Sequence, residues 1–252
     1  MHGQEPHRLP CPIRHHPDSP SGTTQEATIT SQPHHSAPPA PATWDFVEAY
    51  PSEDHVLADA RGRASGSGSQ PVSPATGAAL ALIAGLVNAS SVAEVGTGTG
   101  VSGVWLLRGM RPDGVLTTVD DDGEQHRSAR LAFAAAGIPS QRVRLITGRA
   151  LDVISRLSDG GYDMVVLDAD PLELETEIDE AKRLLRVGGA LAIPHALGAD
   201  AVADPAQRDA VTVAVRTAVA KLASDPAWSA VVLPVGDGLA VAMRAADEAA
   251  EA

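Results

Sequence analysis

Cysteine is nearly absent: Cys11 is the only one in 252 residues. A lone thiol excludes an intramolecular disulfide and a cysteine-based zinc site, and a reducing cytoplasm is the simplest home for such a chain. Lysine is scarce too, with Lys182 and Lys221 alone against a total of 19 Lys and Arg. No run of basic residues tracks a phosphate backbone, and the formal net charge is −13, so no nucleic-acid partner is expected. No apolar stretch approaches the roughly 20 residues that span a bilayer, so no membrane association is expected. The N-terminus also lacks the apolar core of a secretory signal.

What is present divides in two. Residues 1–42 hold much of the proline and histidine but hardly any large apolar side chains. A segment of that composition cannot bury a core and reads as a disordered tail. Its His15-His16 and His34-His35 pairs offer weak metal ligands at best, and a solvated tail is the simpler reading. Residues 43–252 have globular patterning, and 44% of the whole chain is hydrophobic.

The most informative run is Glu94-Val95-Gly96-Thr97-Gly98-Thr99-Gly100. It closes an apolar strand, Ser91 to Val95, and opens a helix carrying Val101, Val104 and Leu107. Glycines there let the main chain turn tightly and let a ligand approach a helix N-terminus. Asp120 ends the next strand, where a carboxylate can accept hydrogen bonds from ribose hydroxyls. A pyrophosphate cofactor calls for G-x-G-x-x-G, whereas this spacing is G-x-G-x-G with an acid, Glu94, two residues before it. The acid favours a cationic ligand such as S-adenosylmethionine. An NAD(P)-dependent oxidoreductase and a merely structural glycine turn remain as alternatives.

Strands are predicted at 91–95, 115–119, 143–147, 163–168 and 190–194. Helices are predicted at 100–110, 123–136, 149–158, 172–186 and 205–223, the fourth stopped by Gly188-Gly189 and the fifth opened by Asp204-Pro205. Short helices precede them around Trp44–Tyr50 and Val56–Arg61, then a flexible 62–71 loop, then a helix capped by Ser73 with Pro74 in its first turn. Trp228 to Val235 and Leu239 to Met243 form a hairpin about Gly236-Asp237-Gly238. Trp105, His126 and Phe133 read as structural.

Several pieces occur in one order: Val72 to Leu80, Glu94 to Ser102, Thr117 to Asp120, Ala136-Gly137-Ile138, Gly148-Arg149-Ala150, Tyr162 to Asp170 and Leu184 to Gly189. With them, residues 43–244 resemble the bacterial O-methyltransferases related to catechol and caffeoyl-CoA O-methyltransferases. The resemblance implies an α/β, Rossmann-like class I methyltransferase fold. Its seven-stranded sheet is mostly parallel, with an antiparallel terminal hairpin strand and helices on both faces. It also implies a homodimer and a small-molecule acceptor bearing a hydroxyl, phenolic acceptors included. By position, Val72, Glu94, Gly96, Thr97 and Ser102 fall at the methionine end of the donor, within a turn that includes Gly98 and Gly100. Asp120 falls at the ribose, Asp121 and Ala150 at the adenine, and Asp168 at the acceptor.

The chain departs from that family where a divalent metal would sit. The family's Asp-Asn pair after the fifth strand is replaced by Pro194-His195, and the lysine of Asp-Ala-Asp-Lys by Pro171. Only Asp168 survives of three oxygen ligands, too few to hold Mg²⁺. Three readings stay open. The protein is a metal-independent enzyme with His195 or Asp170 as base; or it binds S-adenosylmethionine with catalysis lost or altered; or His195 and Asp168 bind a softer metal with a third ligand.

Overall fold

The computed structural model describes residues 40–66, 69–168 and 170–246. Cys11 and the two His-His pairs lie outside the described residues. Three helices come first: α1 (Pro41–Ala49), α2 (His55–Ala64) and α3 (Pro74–Leu86). The Ser73 hydroxyl accepts from Thr76 N at 3.2 Å, and Pro74 fills the first turn, where no N–H is needed. Thereafter β1 (Ser91–Val95), α4 (Val101–Gly109), β2 (Val115–Asp120), α5 (Gly123–Ala135), β3 (Val143–Thr147), α6 (Ala150–Ile154), β4 (Tyr162–Leu167), α7 (Leu174–Leu184) and β5 (Leu185–Pro194) alternate. The domain closes with α8 (Ala210–Ser224), β6 (Trp228–Leu233) and β7 (Leu239–Arg244).

The sheet order is β3-β2-β1-β4-β5-β7-β6. Strands β1 to β5 are mutually parallel where they pair, and β7 runs antiparallel between β5 and β6. Side-chain alternation divides the core. Val92, Leu116, Met164 and Val166 pack with Leu80, Val104 and Leu106 on one face. Ala93, Val95, Val165 and Leu167 pack with Ile178, Leu184 and Leu222 on the other. The strand order reverses between β1 and β4, so the carboxyl ends of β1, β2, β4 and β5 surround one crevice, where open α/β sheets bind ligands.

Three expected boundaries are corrected. Helix α7 stops at Leu184, and Gly188-Gly189 lie inside β5 rather than capping a helix. The β4–β5 register slips between Tyr162 and Met164, and the bulge needs Gly188 at φ 74°. Helix α6 ends at Ile154, because the Arg183 guanidinium takes the carbonyls of Ile154 and Leu157. Helix α8 opens at Asp209, not Asp204-Pro205, its carboxylate accepting from Thr212 N at 2.9 Å. The preceding turns are held by Arg216, which donates to the carbonyls of Ala201, Val202, Asp204 and Gln207.

Candidate active site

The glycine run turns off β1 with Gly96, Gly98 and Gly100 all at positive φ, a backbone that side-chain-bearing residues rarely adopt. Gly98 N donates to Asp120 Oδ2 at 2.9 Å, and Asp122 N donates to Oδ1 at 3.0 Å. The carboxylate is thus fixed in orientation while each oxygen keeps a lone pair facing the crevice. A Cβ on Gly98 would lie 2.9 Å from the Ser69 hydroxyl. Gly100 caps α4 and would bring a Cβ to 3.0 Å from the Ala129 Cα, so it serves packing beside α5 and does not border the crevice.

Beneath this turn runs a buried polar chain. Thr118 donates to Glu94 Oε2 at 2.6 Å, and Thr97 Oγ1 lies 2.7 Å from the Thr118 hydroxyl and 3.3 Å from His126 Nε2. The other ring nitrogen of His126 meets Thr147 Oγ1 at 2.9 Å. His126 is therefore structural, as its helical position implies, but it acts through hydrogen bonds across β1, β2 and β3. Burial lowers its pKa and keeps the ring neutral. Glu94 is fully buried and lies behind the crevice wall rather than on it. Burial raises its pKa to about 7, against the opposing pull of the Thr118 and Ser102 hydroxyls, and the Asp168 and Asp120 charges raise it further.

The crevice itself is a cleft of about 600 Å³. Val72, Gly96, Thr97, Gly98 and Ser102 line it, as do Asp120 and Asp121. Asp168, Asp170, Pro194 and His195 line it too, with the apolar side chains of Leu174, Ile193, Val211 and Val215. Ala150 lies in an adjoining pocket with Asp121, Gly148 and Glu177. Ser69 to Val72 line the cleft, but the N-terminal helix α1, which the sequence leads one to place there, contributes no lining residue among those described. Lys182 and Lys221 pair with Asp225 and Asp179 away from the cleft.

His195 follows directly on β5 with φ 57°, a strained conformation for a residue with a side chain. The ring stands between two carboxylates: Nε2 is 3.8 Å from Asp168 Oδ1 and Nδ1 is 3.5 Å from Asp237 Oδ2. Neither nitrogen makes a hydrogen bond among the described residues. Burial raises the Asp168 pKa to about 6, with the His195 charge pulling it down. Asp170 Oδ1 accepts from Leu172 N at 2.9 Å, which holds the turn into α7.

The residues do not fit a divalent metal. Pro194 offers no ligand, and Asp168 and Asp237 sit at opposite nitrogens of one imidazole, so the three cannot converge on a single ion. No group of three His, Cys, Asp or Glu with metal-binding geometry occurs among the described residues.

Asp237 and Glu177 are among the cleft residues that escaped the sequence reading. Asp237 hides in what reads as a bare hairpin turn; the turn is pinned by Leu197 N to Asp237 O at 2.9 Å, Ala196 N to Gly238 O at 3.1 Å and Ala199 N to Asp237 Oδ1 at 2.6 Å. Glu177 hides on α7 among other acids; it is 1% exposed, and neither carboxylate oxygen has a hydrogen-bond partner among the described residues. Glu177 carries a sequence signal, an acid at the helical spacing of the buried Leu174, Ile178 and Ala181 face.

Comparison with known proteins agrees with this geometry. The family model described as O-methyltransferase matches residues 54–245. A protein of Mycobacterium tuberculosis named probable O-methyltransferase is 48% identical over 210 residues, covering 82% of this chain and 94% of its own. A solved Corynebacterium glutamicum protein has a TM-score of 0.76 at 31% identity, covering 82% of this chain and 98% of its own. The O-methyltransferase TomG of Streptomyces achromogenes, involved in tomaymycin synthesis and solved in complex with S-adenosylmethionine, has a TM-score of 0.72 at 30% identity. That match covers 81% of this chain and 98% of TomG. The chain belongs to the O-methyltransferase family and is an S-adenosylmethionine-dependent O-methyltransferase.

Proposed function

We propose that the protein methylates the hydroxyl of a small acceptor without a metal, with His195 taking the hydroxyl proton. The single observation that carries this is His195 standing between Asp168 and Asp237 in the same cleft that the glycine turn lines. Asp237 facing Nδ1 favours the tautomer with its proton there. That leaves Nε2 bare and directed to the Asp168 side, where an acceptor hydroxyl fits. Once His195 is protonated, both carboxylates stabilise its charge. Asp170 is the weaker candidate for base, because one of its oxygens is already engaged by Leu172 N.

The donor supplies an electrophilic methyl group on a sulfonium. Toward it, Asp120 would hold the ribose hydroxyls, and Asp121 and Ala150 would border the adenine. Val72, Thr97 and Ser102 would enclose the methionine end near the start of α4, with Gly96 and Gly98 giving main-chain clearance and Gly100 setting the helix start. Glu94 acts from behind that wall by charge. The Leu174, Val211 and Val215 wall suits an apolar, ring-bearing acceptor, with a phenol as the simplest case.

Calorimetric titration with S-adenosylhomocysteine tests the donor assignment. Micromolar binding to the wild type, weakened by about 2–3 kcal/mol in Asp120→Ala, is the expected result. Unchanged affinity in the variant would remove Asp120 from the site.

A further inference from the structure

We propose that the acceptor is a cation, an amine on an apolar hydroxylated body, with the Glu177 carboxylate as its counter-charge. The proposal rests on the methyl-transfer reading above and adds the substrate's charge to it.

Among the described residues lining the cleft there is no Lys or Arg, while acids come from β2, α7 and its leading turn, the β4 end and the hairpin. Most of these acids already have protein partners. Asp120 receives Gly98 N and Asp122 N, and Asp122 receives Glu124 N. Asp170 receives Leu172 N, Asp237 receives Ala199 N, and Asp168 faces His195. Asp121 has no such partner but is exposed to solvent, so Glu177 is the buried exception. It borders both the cleft and the adjoining pocket, is 1% exposed, and neither oxygen accepts a hydrogen bond among the described residues. Nearby Arg149 is committed to Glu173.

An unpartnered buried carboxylate costs the empty protein stability. A partner arriving with the ligand offsets that cost, and a buried titratable group in a cleft without a structural partner marks a functional site. An ammonium fits best, because it supplies both the hydrogen bonds and the charge that two empty carboxylate oxygens lack. The donor's own cationic groups do not reach this role. By the assignment above they lie at Thr97 and Ser102, over Glu94 and the start of α4, whereas Glu177, one turn beyond Leu174 on α7, lines the cleft with Leu174 and also the pocket that holds Ala150. The same acidic lining, in a chain of net charge −13, repels an acceptor bearing a carboxylate or phosphate and attracts a cation.

The test uses the full chain with saturating S-adenosylmethionine and three phenols alike except in charge: 4-hydroxyphenethylamine, 4-hydroxyphenethyl alcohol and 4-hydroxyphenylacetate. Methyl transfer is measured for each, and binding of each to the S-adenosylhomocysteine complex is measured in parallel. The amine should exceed the carboxylate by about tenfold or more in kcat/KM, with the alcohol between them, and the gap should shrink at high salt. Glu177→Gln keeps the shape and removes the charge, so it should fold and bind S-adenosylhomocysteine as the wild type does while losing most of the preference for the amine. Four results would overturn the proposal: a carboxylate handled as well as the amine, an undiminished preference in Glu177→Gln, failure of the S-adenosylhomocysteine complex to bind any of the three at millimolar concentration, or a Glu177→Gln variant whose S-adenosylhomocysteine affinity falls, which would place Glu177 against the adenine. Loss of S-adenosylhomocysteine binding by the wild type itself would instead refute the donor site on which the proposal rests.

Discussion

Asp237 Oδ2 lies 3.5 Å from His195 Nδ1, although helix α8 and strand β6 lie between them in the chain. The hairpin between β6 and β7 makes the meeting possible. Its Gly238 packs so closely on Leu197 that a Cβ would come within 2.4 Å of the Leu197 Cγ. The β5 exit, which carries His195, and the hairpin, which carries Asp237, therefore form one rigid corner of the cleft.

In the proposed mechanism Asp237 would act by orienting His195. Asp237→Asn is expected to lower kcat by about 10²-fold, within the usual range for disturbing a general base, with little change in the donor KM. A matching rise in donor KM would show that the variant has deformed the cleft instead.

Gly238→Ala would test the corner mechanically. The residue sits at φ 82° with no room for a methyl group. The substitution should destabilise the fold by about 2–3 kcal/mol, measured by urea unfolding, and should reduce turnover further than that loss of folded protein explains. Wild-type stability would contradict the packing described here.

Glu94 is expected to couple donor binding to pH. Burial holds its pKa near 7 in the empty protein, and a cation seated above the glycine turn favours its ionised form. Donor affinity should therefore weaken as pH falls from 8 to 6, with proton release on binding near pH 7. Titrations in two buffers of different ionisation enthalpy would detect that release, and Glu94→Gln should abolish it. Equal proton release in wild type and variant would exclude Glu94 as the source.

Glu177 leaves a different signature, in stability. Burial raises its folded pKa from 4.5 to about 7, helped by the Glu173 and Asp170 charges. A carboxyl whose folded pKa exceeds its unfolded value stabilises the fold fully below the unfolded pKa, and that contribution is lost as pH rises through the folded pKa. Empty wild-type protein should thus lose stability relative to Glu177→Gln between about pH 4.5 and 7, by up to about 3 kcal/mol. Parallel urea-unfolding curves at pH 5 and 8 would show the divergence. Curves with the same difference at both pH values would mean that Glu177 ionises freely.

Much of the fold is legible in the sequence because its signals are local. Val92 to Val95 and Met164 to Leu167 are apolar runs too short for helices, and Gly96 to Gly100 announce the turn that follows. Two of the three misread helix ends are decided by distant arginines, and the third, at α7, by the bulge at Gly188. Asp204-Pro205 has the chemistry of a helix start, yet Arg216 gathers the carbonyls of that segment into turns, and the helix waits for Asp209. Arg183 likewise ends α6 from a helix away. In the site, Asp120 and the glycine turn declare themselves by spacing. Asp237 does not, because a Gly-Asp-Gly turn has the same composition whether or not its carboxylate faces an imidazole.

Methyl transfer by wild type and His195→Ala, both in EDTA and with donor affinity recorded alongside, tests the central claim most directly. Wild-type turnover should be indifferent to EDTA and restored Mg²⁺. His195→Ala should lose about 10²-fold or more of the transfer rate while binding S-adenosylhomocysteine as the wild type does. A wild type silenced by EDTA and rescued by Mg²⁺, or a His195→Ala variant that methylates at the wild-type rate, would contradict the account.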